Sequence, residues 1–165
     1  MRVVIMGVSG CGKSTVGATL ATRLGWHFFD GDDLHPAANI EKMSAGIPLT
    51  DADRAPWLNK VAETLRDAPQ SLIIGCSALK RAYRDHIRAT AGEDVKFLHL
   101  SAPKSVIAAR LADREGHFMP ESLLNSQYND LMPLEADERG TTLDISGTFD
   151  ATLKAAADYL KGEAQ

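Results

Sequence analysis

Five short apolar runs punctuate the chain, and between them apolar residues recur at helical spacing. The runs Arg2–Met6, His27–Asp30, Ser71–Cys76, Lys96–Leu100 and Thr142–Ile145 predict strands. Lys13–Leu24, a region from Pro36 to about Arg66, Leu79–Thr90, Lys104–Arg114 and Phe149–Leu160 predict helices. Strands alternating with helices predict an α/β fold with a parallel sheet and right-handed crossovers. The strand runs are apolar throughout, the pattern expected when helices cover both sheet faces.

Two stretches depart from that alternation. One is the helical excursion at about 34–66, between the second and third strands. The other is about 115–139, where Gly116, Pro120, Pro133 and Gly140 bracket a short amphipathic helix. In a compact α/β domain such excursions are more often functional covers than packing elements, so the second is expected to be a lid.

With 165 residues and 44% hydrophobic content, residues 1–165 suit a single domain. The charge balance, 18 − 22 = −4, argues against a general nucleic-acid partner. An anionic ligand must therefore meet a local cluster of cations. No apolar run reaches the ~20 residues of a membrane span, and glycines and a lysine interrupt the N-terminal run too early for a signal peptide. No membrane partner and a cytoplasmic address are expected, where Cys11 and Cys76 stay free thiols.

The strongest chemical signal is Gly7-Val8-Ser9-Gly10-Cys11-Gly12-Lys13-Ser14, which matches G-x-x-x-x-G-K-[ST] between a predicted strand and a predicted helix. Glycines let the backbone wrap closely with its N–H groups inward, forming an anion nest at a helix N-terminus. The motif predicts a nucleoside triphosphate ligand cradled by Gly7–Thr15. Lys13 is expected on the β- and γ-phosphates and the Ser14 hydroxyl on Mg²⁺. Cys11 reads as a small residue tolerated in a variable slot.

Ligands of open α/β sheets bind beyond the carboxyl ends of the strands. Asp30 and Asp32, after the second strand, are expected to face the phosphate loop together, two residues apart in extended chain. Lys80, Arg81 and Arg84 follow the third strand, with Lys80 and Arg84 favoured as site residues. Arg110 and Arg114, at i,i+4 before the lid, suit one contact with a base and one with phosphate.

These residues resemble the gluconokinase family, P-loop carbohydrate kinases related to shikimate and nucleoside monophosphate kinases. The resemblance covers about residues 1–145. Beyond the phosphate loop it rests on D-G-D-D-L-H-P at 30–36, N-I-E-K-M at 39–43 and G-I-P-L-T-D-x-D-R-x-P-W at 46–57. It continues in C-S-A-L-K-R-x-Y-R-D at 76–85, G-H-F at 116–118 and A-D-E-R at 136–139. It implies a P-loop NTPase-like three-layer fold whose five strands run in the order 2-3-1-4-5, with a helical lid. It also implies a homodimer and ATP-dependent phosphorylation of D-gluconate to 6-phospho-D-gluconate, feeding the pentose phosphate or Entner–Doudoroff route.

Under that resemblance Asp32 positions and deprotonates the attacking hydroxyl, and Asp30 holds Mg²⁺ through water. Asp32, His35, Ser77 and His117 meet the acceptor. Arg54, Lys80 and Arg84 meet its carboxylate. Lys13 and Arg114 neutralise the transferred phosphoryl group, while Arg110 stays with the nucleotide. Arg139 is a further candidate for phosphate. In the free protein the three acceptor cations are expected to crowd one another, unpaired, and so to favour the acid over glucose. Two other readings stand beside this one. A kinase for another small acceptor is the first. A nucleotide-dependent switch is the second, and the base-reading motif N-K-x-D that it needs is absent.

Overall fold

The computed structural model describes residues 1–114 and 120–163. β1 (Arg2–Met6) is the central strand, and its Val3, Val4, Ile5 and Met6 are fully buried. α1 (Lys13–Leu24) leads to β2 (His27–Asp30), a 3₁₀ turn (Gly31–Leu34), α2 (Ala37–Ser44) and α3 (Asp51–Asp67). Next come β3 (Leu72–Gly75), α4 (Arg81–Ala91), β4 (Lys96–Ser101), α5 (Lys104–Ala112), α6 (Glu121–Asp130), β5 (Gly140–Asp144) and α7 (Phe149–Gly162). The strands pair in parallel in the order β2-β3-β1-β4-β5, as expected.

Two apolar clusters make the three layers. Ile5, Leu20, Leu98, Ile107 and Leu153 join one sheet face to α1, α5 and α7. Met6, Trp57, Leu65, Ile87 and Phe97 join the other face to α3 and α4. Strands with both faces covered are largely apolar, which is why β1 and β3 were readable, whereas β4 also buries Lys96 and His99. β2 pairs only with β3, at the sheet edge, and its residues alternate between exposed and half-buried.

The helical region read at 36–66 divides into two helices. Gly46, at φ 72°, ends the first. Thr50 and Asp53 form a capping box that starts the second: the Asp53 N–H donates to Thr50 Oγ1 at 3.1 Å, and the Thr50 N–H to Asp53 Oδ2 at 2.9 Å. Asp53 also pairs with Lys42 at 2.8 Å, binding α2 to α3. In this way the Asn39–Met43 and Gly46–Trp57 motifs build one helical wall.

Gly31 is the tightest backbone approach beside the phosphate loop. A Cβ on it would lie 2.2 Å from the Gly75 carbonyl oxygen, which is backbone and cannot yield. Gly31→Ala is therefore expected to destabilise the protein by about 1–3 kcal/mol and to displace Asp32. Urea unfolding and turnover check this, and a variant of normal stability and activity would contradict it.

Candidate active site

The chain leaves β1 at Met6 and wraps back through Gly7–Gly12 into α1, with Gly12 at φ 93° before the first helical turn. The Gly7 N–H donates to the Ser77 carbonyl at 3.2 Å, fastening the loop to the end of β3. Lys13 folds back over the loop, its Nζ donating to the Gly7 and Val8 carbonyls at 3.0 Å each. Cys11 and Cys76 are buried free thiols. Burial pushes the Cys76 thiol up to about 12, so it is inert at neutral pH.

Two cavities flank this loop. The larger, about 350 Å³, is lined by Gly10–Gly12, Thr15, Arg110, Arg114, Gly147 and Phe149. It gathers both predicted arginines against the phosphate loop. Arg110 is steadied there by donating from Nη2 to the Ile145 carbonyl. Phe149 was not anticipated, because the apolar period of α7 makes it look like a core residue.

The smaller cavity, about 190 Å³, is lined by Ser9, Lys13, Asp32, His35, Arg54, Trp57, Ser77 and Gln127, among others. Its wall is built from the D-G-D and D-R-x-P-W motifs. Trp57 Nε1 donates to the Gly31 carbonyl at 2.7 Å, and the indole stacks on His35 with centroids 4.1 Å apart. Asn39 Nδ2 lies 3.1 Å from His35 Nδ1 and donates to the Asp53 carbonyl at 2.9 Å. As an amide donor it assigns the imidazole proton to Nε2. Burial, with Arg54 nearby, lowers His35 to about 4, so the ring is neutral at physiological pH.

Asp30 and Asp32 both reach the phosphate loop, as expected, but meet different residues of it. The chain leaves the extended conformation at Gly31, where the 3₁₀ turn begins. Asp30 Oδ1 accepts the Asp32 N–H at 3.0 Å, and its Oδ2 accepts from Ser14 Oγ at 2.6 Å. Asp32 instead lines the smaller cavity. Burial raises its carboxyl above the ordinary carboxylate range. Lys13 pulls the other way, and Asp30 and Asp33 add to the rise.

The three acceptor cations are neither crowded nor unpaired. Arg54 Nη1 donates to the Tyr83 hydroxyl at 3.0 Å and lies 3.3 Å from Asp130 Oδ2. Lys80 Nζ is 2.9 Å from Asp51 and 3.9 Å from Asp130, and does not line the cavity. Tyr83 donates its hydroxyl proton to Asp51.

Arg84 is not in the site at all. It is fully buried and gives a two-pronged pair to Glu138 at 2.7 and 2.8 Å. Its remaining donors reach the Ala78, Leu79, Met132 and Pro133 carbonyls. Helical spacing from Lys80 suggested a shared face, but α4 begins only at Arg81, and Arg84 turns inward. Its work is to hold the turn after β3, where Ala78 sits at φ 44°.

Arg81 is committed to Asp85, Glu135 and Asp137. Arg139 precedes β5 and so lies at the end of the parallel sheet opposite the phosphate loop. It does not approach phosphate. His117 lies outside the described residues.

Gln127 is a second residue that sequence reasoning missed. On α6, its Oε1 accepts the Ser9 N–H at 2.7 Å and its Nε2 donates to Ser9 Oγ at 3.1 Å. No sequence motif distinguishes it from an ordinary helix-surface glutamine.

His99 is 3% exposed, and among the described residues neither ring nitrogen has a hydrogen-bond partner. Burial, then Arg84, lowers it to about 4 from 6.5. The unfolded chain thus takes up a proton below pH 6.5 that the folded chain refuses. Stability should fall as pH drops, by about 2 kcal/mol between pH 6.5 and 5 from this residue. His99→Leu should flatten that slope in urea unfolding. An unchanged slope would contradict the assignment.

A family model described as "AAA domain" matches residues 3–134. A gluconokinase from Gluconobacter oxydans is 56% identical, over 94% of this chain and 82% of that protein. A crystal structure of a gluconokinase from Sinorhizobium meliloti is 43% identical at a TM-score of 0.93, covering 99% and 93% of the two chains. Shikimate kinase from Aquifex aeolicus shares the fold, at 16% identity and a TM-score of 0.64 over 99% and 98%.

Proposed function

Because the chain belongs to the gluconokinase family and transfers a phosphoryl group from ATP to D-gluconate, we propose the following division of labour among its residues. The observation that carries it is the smaller cavity, with Lys13 and Asp32 among its walls together with Arg54. A polyol acid needs hydroxyl partners and one cation, and this cavity has both.

ATP occupies the larger cavity. Its phosphates lie on the N–H groups of Gly7–Thr15, with Lys13 and Arg114 on the transferred group and Arg110 and Phe149 beside the base. Gluconate occupies the smaller cavity with its 6-hydroxyl toward Asp32. Asp32, with its raised affinity for a proton, accepts the hydroxyl proton as the new bond forms. His35 Nε2 and Ser77 offer hydrogen bonds to the remaining hydroxyls. Arg54 takes the carboxylate, while Lys80 supports it from behind. Catalysis consists mainly of alignment and charge neutralisation.

Ser14 Oγ and Asp30 Oδ2 offer adjacent oxygen donors, the set a hard divalent cation prefers. They fit Mg²⁺, which when bound supplies further neutralisation of phosphate charge. The homodimer and cytoplasmic address belong to the same proposal, to be tested by gel filtration and cell fractionation. The test of the function is one coupled assay of ATP turnover with gluconate, shikimate and nucleoside monophosphates. Gluconate is expected to be the preferred acceptor, and an equal rate with another acceptor would overturn the assignment.

A further inference from the structure

Asp130 is the last residue of α6, where a negative charge meets the negative end of the helix dipole. Its position is offset by two cations, Arg54 at 3.3 Å and Lys80 at 3.9 Å. The Arg54 contact is longer than the 2.7–2.9 Å of a direct charged hydrogen bond. Among the described residues the only hydrogen bond from the Arg54 side chain runs to Tyr83. The Arg54 side chain is 9% exposed, lines the acceptor cavity and keeps donors in reserve, and its anionic neighbour is 25% exposed and loosely held.

The charges around it already balance. Arg54 and Lys80 face Asp51 and Asp130, and Tyr83 joins Arg54 to Asp51. An incoming carboxylate makes this group negative by one unless an aspartate withdraws. Asp51 is held at 2.9 Å by Lys80 and by the Tyr83 hydroxyl, and those bonds keep its carboxyl below the ordinary range. Asp130 is the looser of the two.

We propose that Asp130 is the resident anion of the acceptor-carboxylate site, a specificity-determining residue that gluconate's carboxylate displaces from Arg54. This rests on the reading that Arg54 binds the carboxylate. Discrimination against uncharged sugars then comes from an occupied cation that only another anion can claim. Asp130 shares α6 with Gln127, so the exchange also alters the helix that touches Ser9.

The test compares Asp130→Asn, Arg54→Gln and the double variant by steady-state kinetics for gluconate and ATP. Asp130→Asn removes the competitor and should lower the gluconate KM about tenfold, one charge pair's worth, with the ATP KM unchanged. A merely structural role would raise both. Arg54→Gln should raise the gluconate KM, and in the double variant the gain from Asp130→Asn should vanish. Asp130→Ser serves if the asparagine variant folds poorly. An unchanged or higher gluconate KM in the Asp130 variants, with Arg54→Gln behaving as expected, overturns this assignment alone. Arg54→Gln leaving the gluconate KM unchanged overturns the reading of Arg54 itself.

Discussion

Lys13→Ala is expected to lower turnover about a thousandfold while leaving the protein folded. In the free protein the ammonium donates to the Gly7 and Val8 carbonyls at the rim of the loop. Each such bond contributes only about 0.5–1.5 kcal/mol, and water can replace the donor at this half-exposed site. In the proposed arrangement the same group faces phosphate oxygens whose charge shifts during transfer. The folding cost is therefore small and the catalytic cost large. Circular dichroism and turnover measured on one preparation check both halves. A folded variant with near-normal turnover would remove the phosphate loop from the mechanism.

Asp32→Asn is expected to lower kcat about a hundredfold with little change in the gluconate KM. The amide keeps the side chain's shape and hydrogen bonds but cannot hold the hydroxyl proton. Burial raises the Asp32 carboxyl above the ordinary carboxylate range. A base works only when deprotonated, so activity should fall as pH drops through that raised value. The variant should lose this acid limb. Asp30→Asn should act differently, because Asp30 contacts Ser14 and not the acceptor cavity. It is expected to raise the Mg²⁺ concentration needed for half-maximal rate. If both variants show the wild-type Mg²⁺ dependence, the separation of the two carboxylates is wrong.

The sheet was legible because burial on both faces leaves β1 and β3 no freedom to alternate, so apolar runs marked them directly, and β4 departs from that pattern at Lys96 and His99. The phosphate loop was legible because its geometry needs glycines and a lysine at fixed spacing. Asp32 was found as well, although by an argument from extended chain that Gly31 breaks. What failed was the reading of cations. A sequence gives the charge of Arg84 but not its depth, and the partner that buries it, Glu138, lies 54 residues away. For the same reason Asp130 was invisible as the counter-ion of Arg54, since nothing local joins them. Gln127 and Phe149 carry no motif, and only the packing of α6 and α7 against the loop exposes them.

The Arg84–Glu138 pair also bears on inheritance. Removing Glu138 strands the Arg84 charge in the core, at a cost of roughly 3–5 kcal/mol, a large part of a domain's whole stability, whereas removing Arg84 still leaves Glu138 paired with Arg88 at 2.9 Å. Glu138 therefore cannot drift while Arg84 stays in place. A recombinant joining this chain to a distant kinase anywhere between positions 84 and 138 takes one member from each parent. Such a hybrid keeps Arg84 neutralised only if the parent that supplies position 138 carries the glutamate, whereas crossovers before 84 or after 138 inherit the pair whole. Fragment exchange within this fold is thus limited by two side chains that never touch a substrate.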